Sequence, residues 1–174
     1  MLGPRDSRVG RVSLLEAHVW GKGTVSLIVR KAHAGDAHVI ADYNTRLARE
    51  SEAKCLESNT IVAGVRTVLG RPEHGQYFLA EREGEIVGQV LITHEWSDWR
   101  NGLFWWIQSV YVPAEYRRSG VFSELYRHVM ELAKESSEVC GVRLYVEGEN
   151  TLAQRTYRAL GMNDTSYQVM EVEF

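Results

Sequence analysis

The sequence predicts one α/β domain of the α+β type, with a mixed, mostly antiparallel twisted sheet flanked by about four helices. Two turn pairs, Glu83-Gly84 and Asn101-Gly102, join three consecutive β-rich runs, and Asn-Gly is a strong hairpin signal. The amphipathic stretch after Pro113 links the third of these runs to another apolar run at Val142, as a crossover helix does, which makes those two strands parallel. Elsewhere, apolar residues recur at helical spacing between the strand-like runs.

Taken in order, Val25-Ser-Leu-Ile-Val-Arg30 reads as the first strand. Ala34-Gly-Asp36 starts a helix with Asp36 as N-cap and an apolar face of Ala37, Ile40, Ala41, Asn44, Leu47 and Ala48. Asn59 or Thr60 caps a second helix, whose face is Ile61, Val65, Val68 and Leu69 and which closes at Gly70 and Pro72. Strands follow over 76–81, 86–95 and 103–112, and Gly88 marks a bulge in the middle one. A helix from Ser119 to about Ser136 presents Phe122, Leu125, Tyr126, Val129 and Ala133. Val142–Glu147 is a strand, and Asn150 caps a short helix that stops at Gly161. Ser166–Phe174 alternates as a final strand.

The bulk numbers narrow the function. The chain's 174 residues suit one domain, and a net charge of −3 argues against a broad nucleic-acid or anionic-membrane surface. Cys55 and Cys140 are far apart and form no CxxC, so a reducing, cytoplasmic setting is expected. No apolar run approaches the ~20 residues of a membrane span. Residues 1–24 lack the long apolar core of a secretory signal and read as a disordered leader to a domain over 25–174. The six histidines show no ligand spacing, so no metal is expected.

The strongest local signal is Tyr111-Val-Pro-Ala-Glu-Tyr-Arg-Arg-Ser-Gly-Val-Phe122. A strand stops at Pro113, and the basic turn Arg117-Arg118-Ser119-Gly120 opens an amphipathic helix. Free N–H groups, the positive end of the helix dipole and two guanidinium groups converge there, which suits a phosphate or pyrophosphate. The turn is neither a Walker loop nor a dinucleotide fingerprint, because Gly-Lys-Ser/Thr and Gly-x-Gly-x-x-Gly are both absent.

A second motif follows the Val142 strand: Asn150-x-x-Ala153-x-x-x-Tyr157-x-x-x-Gly161-Met162. With Arg117-x-x-Gly120-x-Phe122, it makes the chain from Val25 to Phe174 resemble the GNAT superfamily of acetyl-CoA-dependent N-acetyltransferases. The resemblance implies direct acetyl transfer from acetyl-CoA, as co-substrate, to a primary amine in a ternary complex. By it, the N–H groups of Arg118, Ser119, Gly120, Val121 and Phe122 cradle the coenzyme pyrophosphate, with charge from Arg117 and Arg118. The strand edge at Val110, Tyr111 and Val112 pairs with the pantetheine arm, and an N–H near Val110 steadies the oxyanion. Asn150 bonds the pantetheine arm, and Tyr157 protonates the departing thiolate.

Three residues depart from the family pattern. Phe122 occupies a position where small residues are usual, and its ring is expected to point back toward the core. Arg118 replaces a frequent Gly, a change that costs little if its φ is negative. Met162 replaces Phe. The general base is open: the strand carries Gln108 where several relatives have Glu, so Gln108 and Ser109 are left to orient a water. Glu95 is a candidate base, as are His94, Asp98 and Glu147. Trp96, Asp98 and Trp99 line an acceptor pocket for a cationic amine, pack the hairpin or form a dimer interface. The acceptor is a small-molecule or protein amine, and the final strand is available to pair across a homodimer. The alternatives are a non-catalytic acyl-CoA-binding module and a transferase for a longer acyl group.

Overall fold

The computed structural model describes residues 26–174; the expected leader over 1–24, and Val25, lie outside the described residues. Five strands build one sheet: β1 (Leu27–Lys31), β2 (Gln76–Arg82), β3 (Glu85–Ser97), β4 (Gly102–Tyr111) and β5 (Val139–Leu144). They lie side by side in chain order. The first three pairings are antiparallel, and β4 with β5 is parallel. The long helix α3 (Val121–Glu135) makes the crossover that this parallel pair needs.

Helices cover both faces. On one, α1 (Ala37–Glu52) and α2 (Ser58–Gly70) bury Ile40, Ala41 and Val65 against Tyr77, Leu79 and Leu91. On the other, α3 buries Val121, Leu125, Tyr126 and Val129 against Phe78, Ala80, Val90, Ile92 and Ile107. The alternation of side chains along β2 to β4 sends one set to each layer. Gly88 is what lets α3 approach: a Cβ there would lie 2.7 Å from Val121 Cγ1 and 3.2 Å from Leu125 Cδ1. The expected bulge falls beside it, where the β2–β3 register shifts between Ala80 and Glu81. Among the described residues no helix is long and apolar enough to cross a membrane.

Several local expectations need correction. Ala34–Asp36 is a 3-10 turn, and α1 begins only at Ala37. Asp36 does not cap α1: its carboxylate accepts from His33 N–H at 2.8 Å and from both terminal nitrogens of Arg30. A buried carboxylate beside a guanidinium is better satisfied there than on one helix N–H. Glu57, not Asn59 or Thr60, caps α2, because its two oxygens accept from the N–H groups of both. An anion at a helix N-terminus also gains from the dipole.

The final strand does not form. Among the described residues, 165–174 pair with no strand, and Tyr167, Val169, Met170, Val172 and Phe174 are exposed. Alternation specifies two faces, but a strand also needs a neighbouring edge, and no hairpin turn brings this segment back beside β5. The strand expected over Val142–Glu147 is displaced to Val139–Leu144. Its pairing with β4 ends at Ile107↔Leu144, where β4 begins to depart from the sheet.

Candidate functional site

That departure builds the site. Between Leu91↔Gln108 and Gln89↔Tyr111, β4 spends three steps to two on β3, so Ser109 and Val110 fall outside the register. Ser109 carries a left-handed φ of 46°, which turns the strand away. With β5 ending at Leu144, a wedge opens between the two parallel strands. Asn150 then caps α4 (Thr151–Ala159), its side chain accepting from Ala153 N–H at 3.1 Å, and α4 walls the wedge.

The wedge is a groove with two arms. The larger, of about 690 Å³, runs along Val110, Tyr111 and Val112 to Arg117, Arg118, Gly120 and Phe122. The smaller, of about 540 Å³, is lined by Gln108, Ser109, Tyr145, Glu147, the end of α1 at Glu52 and, just beyond it, Lys54. Six residues line both arms: Leu47, Ser51, Val110, Asn150, Ala153 and Tyr157. Tyr157, Asn150 and Val110 therefore stand at the junction.

The larger arm ends on the N-terminus of α3. Its N-cap is Gly120, with φ 84°, and among the described residues no side chain caps the helix, so its first N–H groups are open to another acceptor. Arg118 has φ 62°, which corrects the expectation of a negative value. A non-glycine residue in that region costs roughly 1–2 kcal/mol. The Ser119 hydroxyl is turned into the loop, where it donates to Tyr116 C=O at 2.6 Å. Arg117 is already engaged: Nε donates to Val112 C=O at 2.9 Å, and the guanidinium pairs with Glu50. Glu50 also accepts from Tyr111 O–H at 2.7 Å. The Arg117 and Tyr111 bonds hold the Glu50 carboxyl below the ordinary carboxylate range.

Phe122 points toward the core layer and α4, as expected. Its ring meets Tyr157 edge-on at 5.7 Å and Tyr126 at 6.1 Å. Burial raises the Tyr157 phenol above its ordinary value, and Tyr126 adds to this, so Tyr157 is protonated at neutral pH. Gln108 is held by a 2.7 Å bond from Nε2 to Thr93 Oγ1.

The remaining candidates sit elsewhere. Glu95 accepts from Trp106 Nε1 at 2.5 Å and pairs with Arg143 at 3.2 Å, and it lines neither arm. Arg143 in turn lies over the Phe104 ring at 3.5 Å. Trp96 and Trp99 are 60% and 86% exposed, and with Asp98 they lie at the far end of the β3–β4 hairpin, outside both arms. Asp98 accepts from Trp99 N–H. His94 lies tilted against Trp105 with ring centroids 6.0 Å apart, and burial lowers its pKa. Glu147, by contrast, lines the smaller arm. There Glu52 is paired with Lys54 at 2.8 Å, which leaves Glu147 without an ion pair among the described residues.

Sequence reasoning did not single out Leu47 and Ser51 of α1, or Tyr145, as walls of the groove. Leu47 and Ser51 carried a signal, since Asn44, Leu47 and Ser51 share one helix face. Tyr145 carried none: it leaves the sheet only because β4 does, and then stacks on Trp106 at 4.4 Å.

A bulged β4 beside a parallel β5, with a crossover helix opened by glycine, makes a groove suited to an extended, phosphate-bearing acyl donor. Residues 39–162 match the model of the Acetyltransferase (GNAT) family, and the chain belongs to that family of acetyltransferases. No curated protein sequence matches it. A possible acetyltransferase from Clostridium difficile 630 is 40% identical, with a TM-score of 0.81 over 85% of this chain and 97% of that one. A predicted acetyltransferase with acetyl-CoA from Clostridium acetobutylicum shares the fold at 16% identity and TM-score 0.71, over 84% and 96% of the two chains. A ribosomal-protein-alanine N-acetyltransferase from Brucella melitensis biovar Abortus 2308 does so at 15% identity and TM-score 0.69, over 86% and 99%.

Proposed function

We propose that the protein moves an acetyl group from acetyl-CoA to a primary amine by direct transfer in a ternary complex. The observation that carries this reading is the groove itself: Tyr157, Asn150 and Val110 line both arms at their junction. The larger arm receives the coenzyme. Its pyrophosphate sits on the N–H groups from Arg118 to Phe122, where the α3 dipole and Arg118 favour negative charge. Arg117 keeps the turn in shape through Val112 and Glu50 as well as adding charge. The pantetheine arm lies along Val110–Val112, with Asn150 across the wedge.

The smaller arm receives the amine. Glu147 is the carboxylate placed to take its proton, directly or through a water oriented by Gln108 and Ser109. The amine nitrogen then attacks the thioester carbonyl carbon, and Val110 N–H stabilises the oxyanion. As the tetrahedral adduct collapses the C–S bond breaks, Tyr157 gives its proton to the sulfur, and the nitrogen, whose first proton went to Glu147, passes its remaining extra proton through water to the tyrosinate. The phenol, raised by burial, keeps its proton until the C–S bond breaks. No step needs a protein thiol, and Cys55 and Cys140 line neither arm. Glu52 and Glu147 give the smaller arm an excess of negative charge over Lys54, which suits a cationic acceptor.

Calorimetry with acetyl-CoA on the wild type and on Gly120→Glu tests the reading, together with thiol release over a panel of small and peptidyl amines. The expected result is micromolar binding that the substitution abolishes, and turnover with a cationic amine. Binding without thiol release from any amine would leave a non-catalytic acyl-CoA-binding module, and tighter binding of longer acyl-CoAs would change the donor.

A further inference from the structure

Behind the bulge lies a polar chain in an otherwise apolar layer. Gln89 on β3 is fully buried, and Asn44 on α1 and Tyr77 on β2 are nearly so. Gln89 Nε2 donates to Asn44 Oδ1 at 2.7 Å and to the Ser109 carbonyl at 3.2 Å. Asn44 Nδ2 donates to Tyr77 O–H at 3.0 Å. A main-chain carbonyl only accepts, so the Ser109 contact fixes which end of the Gln89 amide faces the bulge. The other end, Oε1, is buried with no partner among the described residues.

This arrangement is expensive. An unsatisfied buried acceptor gives up its water without a replacement partner, and Ser109 at φ 46° adds backbone strain. A leucine or methionine at position 89 would fill the layer without orphaning an oxygen. Strained backbone persists where its surroundings over-determine it, and Gln89 is the side chain bonded to the carbonyl of the strained residue. The same bulge displaces Val110 from the ladder into the junction of the groove.

We infer that Gln89 is a positioning residue for acyl transfer: by holding the Ser109 carbonyl toward the sheet it fixes the Ser109–Val110 bulge and aims Val110 N–H at the thioester carbonyl. Asn44 and Tyr77 hold Gln89 in turn. The inference rests on the proposed role of Val110. It makes a distinctive demand, because free coenzyme A has no acetyl carbonyl and should not feel the change.

The test is Gln89→Met, with Tyr77→Phe as a milder variant should the first fail to fold. Three quantities are read: the ¹³C shifts of Ser109, which report its left-handed backbone, the affinities for acetyl-CoA and for coenzyme A, and kcat. The expected result for Gln89→Met is a shift of Ser109 toward extended values and a kcat lower by about 100-fold, the scale of losing or misplacing one oxyanion donor. Acetyl-CoA should weaken by about 10-fold against a coenzyme A affinity held within about 2-fold, since only the carbonyl contact is lost. Tyr77→Phe should move the same three readouts in the same directions by less. Unchanged Ser109 shifts, or equal losses for acetyl-CoA and coenzyme A, would overturn the inference while leaving the acetyltransferase reading intact. A wild type that binds neither ligand would overturn both.

Discussion

The ring of Phe122, on the first turn of α3, meets the ring of Tyr157 edge-on, with centroids 5.7 Å apart and planes at 80°. A residue that breaks the small-residue pattern of the turn therefore buttresses the proposed acid. Tyr157→Phe keeps this contact and removes only the hydroxyl. Turnover should fall by about 100-fold with acetyl-CoA affinity nearly unchanged, the scale of a lost general acid. Steady-state kinetics beside calorimetry will check it, and an unaltered kcat would remove Tyr157 from the chemistry.

Glu147→Gln tests the other proton. The amide preserves shape but takes no proton near neutral pH, so kcat should fall by about 100-fold. Glu95→Gln, on a carboxylate held by Trp106 and Arg143 outside the groove, should change kcat by less than about 3-fold and act mainly on stability. The reverse ranking would return Glu95 to the site.

Arg118→Gly separates strain from charge. Its φ of 62° is free for glycine, so the melting temperature should rise, by an amount equivalent to about 1 kcal/mol. Losing one cation beside the proposed pyrophosphate site should at the same time weaken acetyl-CoA, and the loss should shrink as salt is added. Stability and affinity moving together would contradict the placement of this side chain.

The pH dependence of folding should carry the mark of Asp36. The Arg30 guanidinium, above all, and His33 N–H hold its carboxyl below the ordinary range, against burial, which raises it. A carboxyl depressed in the folded state contributes stability above its unfolded value, near pH 4, and loses it as pH falls through the folded value. Asp36→Asn should therefore be less stable than the wild type by about 2 kcal/mol at pH 7, and the gap should close below about pH 4. Thermal melts from pH 7 to 3 on both proteins will show it, and a gap independent of pH would assign the loss to packing.

Much of the fold could be read from period and turn chemistry, because those act locally. The Asn101-Gly102 hairpin, the parallel crossover through α3 and the Asn150 cap all follow from short-range rules. The glycine turn that opens α3 was readable for the same reason. Features that depend on what lies across the sheet were not. Nothing near Ser109 in sequence marks a positive φ, since its cause sits on β3 and α1 in Gln89 and Asn44. Glu95 looks like a free carboxylate on a strand until Arg143, 48 residues away, is placed beside it. The final segment has the alternation of a strand, but alternation is silent on whether an edge is there to receive it.

The six residues common to both arms also have a thermodynamic consequence. Two ligands that touch one wall cannot bind independently unless that wall is indifferent to both. Whatever factor the first ligand imposes on the dissociation constant of the second, the second imposes on the first, because the four equilibria close a cycle. With the proposed occupants, the groove thus ties the affinity for the amine to the occupancy of its neighbour. A binding constant for either ligand then describes this protein only when the concentration of the other is stated with it.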